Sequence, residues 1–364
     1  MRSKILLVVG ARPNFMKIAP ILRELDERSW AHSVLLHTGQ HYDADMSQTF
    51  FEDLGIREPD IHLGVGSGPH GWQTGQILTQ IEEVLSDGAW DLVVVVGDVN
   101  STLAATLAAA KLNIPVAHVE AGLRSGDRAM PEEVNRVVTD TLAALCLTPS
   151  RDGDSNLLAE GVPRERIHFV GNVMIDTLVR SLEQVRAAPR PFPALEPGKY
   201  ALVTLHRPSN VDERGQLQEI VDALEEIAGD VRVVFPVHPR TAQALDAFGI
   251  EFQRVQALEP LGYRHMLALQ ADAGLILTDS GGIQEESTVL GVPCLTLRDS
   301  TERPITVDEG TNTLVPVRSK KAILEAFGRS WGHGASGRTP EGWDGRASVR
   351  VVDAFESFLG HRRA

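Results

Sequence analysis

The residues best equipped for chemistry stand where apolar runs end. Asp98 follows LVVVVG, Glu120 follows PVAHV one strand–helix unit later, and Arg12 comes just after KILLVVGA. Further along, His206 closes YALVTL, His238 closes VRVVFPV, and Asp279-Ser280-Gly281-Gly282 closes GLIL. Clustered carboxylates split their proton affinities and can serve as general acid and general base. The segment TDSGGIQEESTVLG (278–291) ends a strand, removes side-chain bulk with two glycines and opens a helix. The N–H groups and dipole of such a helix start favour phosphate. Ser280 adds a hydroxyl donor, and Glu286 on the second turn is spaced to accept from a pair of ribose hydroxyls. Taken singly, Ser280 reads equally as an N-cap and Glu286 as a solvated face residue. Six strand ends that all deliver such groups point instead to a site.

The elements that must position these groups alternate. Apolar runs at 4–10, 33–39, 92–98 and 115–122 suit strands buried on both faces, with helical patterns at 16–28 and 101–113 between them. This βαβα order predicts an α/β fold with a parallel, doubly wound sheet. The pattern pauses over RAAPRPFPALEPGK (186–199), where four prolines in fourteen residues read as a linker. It resumes at 200–206, 216–230, 231–238, 274–279 and 293–297. The expected organisation is a Rossmann-like domain over 1–187 that carries the carboxylates and a second over 188–347. A helix in 348–364 is expected to pack back toward the first domain. The Gly-rich stretch 328–345 is expected to be a surface loop. Ligands of such folds bind beyond the C-terminal ends of the strands, which places them in a cleft between two lobes.

The composition bounds the rest. At about 150 residues per domain, 364 residues suit two domains. Thirty-five Lys and Arg against 49 Asp and Glu give a net charge of −14, which argues against nucleic acid as a partner and leaves room for a local anion site. Cys146 and Cys294 sit in apolar surroundings and make neither a disulfide framework nor a thiolate cage; they read as buried small hydrophobes in a reducing compartment. No apolar run reaches the roughly 18 residues of a membrane span, and MRSKILLVVG leads into GARPN rather than a cleavage site, so a cytoplasmic protein without a membrane partner is expected. Twelve histidines show no paired metal-ligand spacing, and no metal is expected. Asp43-Ala44-Asp45 reads as a helix cap after the GQHY turn, and GVGSGPHG (64–71) as a loop. GxGxxG, Walker and GxSxG patterns are absent, so neither a nicotinamide cofactor, ATP nor a serine nucleophile is indicated.

Read together, these residues resemble the non-hydrolysing UDP-N-acetylglucosamine 2-epimerase family. The resemblance runs through GARPNFMKIAP (10–20), TGQHYDADM (38–46), VGDVNSTLA (96–104), HVEAGLRSGDRAMPEEVNR (118–136), VTLHRPSNVD (203–212), PVHPR (236–240), LTDSGGIQEES (277–287) and LRDSTERPITVDEGTN (297–312). It implies a GT-B-like pair of Rossmann-like domains facing a cleft, a homodimer, no cofactor, and interconversion of UDP-GlcNAc with UDP-ManNAc for surface polysaccharides. By the same resemblance Asp98, Glu120, Glu132 and His206 are catalytic. Arg12, Lys17, Arg136, His206, Ser280, Gly281, Gly282, Glu286 and Arg303 bind the UDP-sugar, and Met266 lies at the uracil side where an aromatic often sits. The family's ERPE reads Glu302-Arg303-Pro304-Ile305 here. The effector segment of regulated bacterial members reads GQHYDADM, so their allosteric control is not carried over. A hydrolysing relative, an epimerase for a UDP-diacetamido-uronic acid, a GT-B glycosyltransferase and a silent UDP-sugar binding protein are the alternative readings.

Overall fold

The computed structural model describes residues 2–40, 51, 54–316, 319–334 and 336–363; the helix cap expected at Asp43-Ala44-Asp45 lies outside them. The chain divides into two units, Met1–Thr177 with Glu341–Ala364, and Leu178–Pro340.

In the first unit the apolar runs become strands because branched side chains on both faces find helices to pack against. These strands are β1 (Ser3–Val9), β2 (Ala31–His37), β3 (Ile61–His62), β4 (Leu92–Val96), β5 (Val116–Val119), β6 (Leu145–Thr148) and β7 (Ile167–Phe169). Among the described residues they form one parallel sheet in the order β3-β2-β1-β4-β5-β6-β7. Leu6, Val8, Val93 and Val95 share a buried face with Ala104, Ala105 and Ala108 of the helix Asn100–Lys111. Three small side chains let that helix approach closely. Strands β4 and β5 stop earlier than the apolar runs suggest. Gly97, at φ +69°, and Glu120, at φ +73°, turn the chain out of the sheet. The order reverses between β1 and β4, where ligands of doubly wound sheets bind. Asn14 closes that seam: its Oδ1 accepts from the N–H groups of Gly10 and Ala11, and its Nδ2 donates to the Val96 carbonyl at 3.1 Å.

The helix Ala347–Arg363 packs on the helix Arg12–Glu27 of the same unit, burying Val351, Val352 and Phe355. Its first N–H groups, at Ala347 and Ser348, donate to the Asp176 carboxylate at 3.0 and 2.7 Å, which satisfies donors that a helix start otherwise leaves orphaned. The stretch 328–345 is more than a surface loop. Its start completes the helix Lys320–Ser330, and Trp343 is buried, with Nε1 donating to the Pro149 carbonyl at 2.9 Å.

The second unit repeats the plan with β8 (Tyr200–Thr204), β9 (Arg232–Pro236), β10 (Gln256–Leu258), β11 (Leu275–Thr278), β12 (Cys294–Thr296) and β13 (Asn312–Leu314), all parallel, in the order β10-β9-β8-β11-β12-β13. Side chains alternate between two apolar clusters, as strand periodicity demands. Ala201, Val203, Leu275 and Leu277 face the helix Arg214–Ile227, whereas Tyr200, Leu202 and Ile276 face Leu269 of the helix Tyr263–Asp272. Each unit is thus Rossmann-like and doubly wound. Cys146 and Cys294 are free and buried, and burial pushes both thiols up to about 12.

Candidate active site

The carboxylates are delivered by neighbouring strand ends. Val96 of β4 pairs with Val119 of β5, so the residues that follow, Gly97-Asp98 and Glu120, leave the same edge of the sheet. Left-handed backbone costs a non-glycine residue about 1–2 kcal/mol, and Glu120 adopts it. Its turn is held because the N–H groups of Glu120 and Ala121 both donate to the Leu147 carbonyl at 3.0 Å. The buried Glu120 carboxylate is ion-paired with Lys17, itself 8% exposed. A Cβ at Gly97 would stand 3.3 Å from Lys17 Nζ and 3.4 Å from Glu120 Oε2, so glycine there answers both a positive φ and a tight contact.

Asp98 is ion-paired with Arg136, which reaches back from the helix Pro131–Leu142 and also donates to Glu133 Oε2 at 2.8 Å. Arg136 is 4% exposed. Both of its terminal nitrogens therefore meet carboxylates, Asp98 on one and Glu133 on the other. Burial opposes ionisation of Glu133, but the Ser125 and Gly126 N–H groups and Arg136 hold its carboxyl below the usual range. Helical spacing sets Glu132, Asn135 and Arg136 on one side of their helix. Asn135 Nδ2 donates to the Asp98 carbonyl at 2.8 Å. Asp98 and half-buried Glu132 line one cavity of about 320 Å³ together with Gln40, His70, Asn100 and Asn135. Arg12, at the start of its helix, is exposed.

The second unit supplies a polar edge of another kind. Thr204 of β8 pairs with Thr278 of β11, and beyond them stand His206 and Asp279-Ser280. Asp279 is fully buried, and its carboxylate accepts from the N–H groups of His206 and Arg207, from Asn210 Nδ2 at 3.1 Å and from His206 Nδ1 at 2.8 Å. Burial alone would raise its proton affinity; His206 and these N–H groups lower it below the usual carboxylate range. A histidine held through Nδ1 has Nε2 available for a substrate. His238, by contrast, caps its own helix, its Nδ1 accepting from the Arg240 N–H at 3.2 Å.

Ser280 is the N-cap of the helix Gly281–Leu290. A Cβ on Gly281 would come within 2.7 Å of Arg303 Nη1, so the glycine lets that guanidinium lie against the helix start. Arg303 pairs with Glu285 at 2.9 Å and Glu302 at 2.7 Å. Glu302 is buried, yet Arg303, Arg298 and Arg207 hold its carboxyl far below the usual range. Glu286 is not a solvated face residue. It is 4% exposed and accepts from Tyr263 Oη at 3.0 Å and Gln270 Nε2 at 2.8 Å. Met266 is half-buried against the Tyr200 cluster, and its N–H is spent on the Gly262 carbonyl, so it has no backbone donor for a base.

Burial pushes the Glu286 carboxyl up to about 7 against the donation of Gln270 and Tyr263. The folded chain therefore holds this proton to a higher pH than the unfolded chain, where a glutamate titrates near 4.5. The stability tied to it is full below about 4.5 and is lost as pH rises to about 7. Urea melts of Glu286→Gln and of the parent chain at pH 5 and pH 8 should differ accordingly. The difference is expected to swing toward the variant by up to about 3 kcal/mol at the higher pH.

Several of these groups are absent from the sequence-based expectations. Asp279 is read there only as a strand end, and Arg207, Arg298, Glu302 and Glu133 are not assigned. The pairing of two threonine-ended strands, TLHR with LTDS, is the signal that could have joined His206 to Asp279.

A family model described as UDP-N-acetylglucosamine 2-epimerase matches residues 23–356. The UDP-N-acetylglucosamine 2-epimerase of Methanocaldococcus jannaschii is 44% identical over 336 residues, 88% of this chain and 90% of that protein. The UDP-2,3-diacetamido-2,3-dideoxy-D-glucuronate 2-epimerase of Pseudomonas aeruginosa is 41% identical over 353 residues, 96% of this chain and 98% of the relative. The crystal structure of the M. jannaschii UDP-GlcNAc 2-epimerase in complex with UDP-GlcNAc and UDP superposes with a TM-score of 0.90 at 40% identity, covering 97% of this chain and 99% of that one. Family model, relatives and fold agree: the chain belongs to the UDP-N-acetylglucosamine 2-epimerase family of isomerases.

Proposed function

We propose that this isomerase interconverts UDP-N-acetylglucosamine and UDP-N-acetylmannosamine without net hydrolysis. The observation that carries the reading is that Asp98 and Glu120 leave one sheet edge, paired with Arg136 and Lys17, while Asp98 and Glu132 line one cavity. C2 of the sugar bears an acetamido group but no neighbouring carbonyl, so its proton is not acidic enough for simple exchange. In the proposed sequence a carboxylate removes the C2 proton while the C1–O bond breaks. UDP leaves with the bonding pair, and 2-acetamidoglucal remains. UDP then re-adds at C1 as a proton is delivered to the opposite face of C2. Proton transfers of this kind gain about 10²–10⁴-fold from a positioned group. His206 is assigned a proton-transfer role as well as the diphosphate, which it shares with Arg12, Lys17, Arg136, Ser280, Gly281, Gly282 and Arg303; Glu286 is assigned the ribose and the Met266 side chain the base.

The reading extends to a cytoplasmic homodimer that supplies N-acetylmannosamine units for surface polysaccharides, with the UDP-sugar as partner and no cofactor. The two free, buried cysteines support a reducing compartment. Among the described residues no helix is long and apolar enough to cross a membrane. The similarity to the P. aeruginosa enzyme supports a second reading, the same chemistry on a UDP-diacetamido-uronic acid. An NMR time course in D2O with each sugar tests both. With the true substrate, product and recovered substrate gain deuterium at C2 and free UDP does not accumulate. Release of UDP with free N-acetylmannosamine points to the hydrolysing alternative, and transfer of the sugar without C2 exchange overturns the epimerase reading.

A further inference from the structure

Behind the proposed carboxylate centre lies a second, fully buried set of charged groups. His118 of β5 and Asp140 of the helix Pro131–Leu142 are both 0% exposed, and their Nδ1 and Oδ1 are 2.6 Å apart. The other ring nitrogen, Nε2, is 2.8 Å from the carbonyl of Gly97, an acceptor only, so His118 donates there. The other oxygen of Asp140 accepts from the Gly122 N–H at 3.0 Å and from Arg124 Nη1 at 2.8 Å. Arg124 in turn grips Glu160. Burial penalises the Asp140 carboxylate, but His118 and Arg124 hold its carboxyl below the usual range.

Gly97 immediately precedes Asp98, and Gly122 lies two residues beyond Glu120. Both glycines and Glu120 have left-handed backbone, at φ +69°, +82° and +73°. Turns of this kind persist only where their surroundings over-determine them. Asp140 also belongs to the helix that carries Glu132 and Arg136. One buried pair thus touches the turn before Asp98, the turn after Glu120 and the helix of Glu132.

We propose that His118 and Asp140 are positioning residues, which fix the Asp98, Glu120 and Glu132 carboxylates relative to one another by clamping the Gly97 carbonyl and the Gly122 N–H. This rests on the epimerase reading above. A misplacement of about 1 Å, caused by a change away from the reacting atoms, can cost about 10²-fold in rate.

The test compares Asp140→Asn, His118→Ala and His118→Gln in the full chain with UDP-GlcNAc. Asp140→Asn is expected to lower kcat 10–100-fold with KM within three-fold. His118→Gln, which keeps an N–H for the Gly97 carbonyl, is expected to recover about ten-fold of the loss in His118→Ala. Hydrogen-exchange mass spectrometry should show Asp140→Asn exchanging faster at 97–99 and 120–124, with the rest of the chain unchanged. An active parent enzyme whose variants keep kcat within two-fold overturns the inference. If Asp140→Asn does not fold, the two His118 variants decide by the same criteria. If the parent chain neither epimerises nor exchanges C2 hydrogen, the epimerase reading fails on its own, and unaltered exchange at 97–99 in the folded variants then removes the clamp as well.

Discussion

Replacing Asp98 by Asn is expected to lower turnover by about 10²–10⁴-fold while UDP affinity changes little. The carboxamide is nearly isosteric but can neither take up the C2 proton nor return one. Its effect on binding should be small because Asp98 lies on the first unit's cavity with Glu132, away in sequence from the Ser280 helix start assigned to the nucleotide. Some loss of stability should accompany it, since Arg136 is 4% exposed and would lose the Asp98 charge while keeping that of Glu133. Removing one member of a buried pair costs about 3–5 kcal/mol when a charge is stranded, and the remaining Glu133 should keep the loss below that. Initial rates by NMR and UDP titration calorimetry on the same preparation check the split. Retained turnover with weakened UDP binding would instead make Asp98 a binding residue.

The second large effect is expected at Asp279, which the sequence presents only as the last polar residue of a strand. Asp279→Asn should reduce kcat by about 10²–10⁴-fold if His206 acts through Nε2. A carboxamide can turn its NH2 toward Nδ1, and His206 then accepts there and carries its proton on Nε2. The same substitution weakens the charge-assisted contacts to the N–H groups of His206 and Arg207 and to Asn210, each worth about 1.5–3 kcal/mol. Melting curves should therefore fall as well. A double-mutant cycle separates the two causes: on a His206→Gln background, Asp279→Asn should cost little further turnover yet still lower stability. If turnover losses simply multiply, Asp279 does not act through His206.

How much of this was open to reading depended on where each residue lies. The β4 run LVVVV is apolar at every position, and a strand buried on both faces leaves that mark plainly. β3, β7, β10 and β13 are two or three residues long and left no readable run. The apolar runs extend past the ends of β4 and β5 because Gly97 and Glu120 leave the sheet through backbone conformation, which hydrophobicity does not encode. Asp98 and Glu120 were legible since they follow their strands directly. Asp140 is not legible, and Asp279 is legible only as a strand-end group, because a fully buried acid and a solvated one look alike in sequence. What separates them is the partner, His118 in one case and His206 in the other, and each partner is far along the chain.

The left-handed Glu120 also bears on how such a chain can change over generations. Glycine at 120 would relax the backbone, but it would strand the buried Lys17, so neither position improves alone. Loss of both together removes a strained residue and a desolvated ion pair at once. Selection for robustness and selection for chemistry therefore pull against each other at this one pair. A duplicated copy released from its reaction should drift first at 17 and 120, and in tandem.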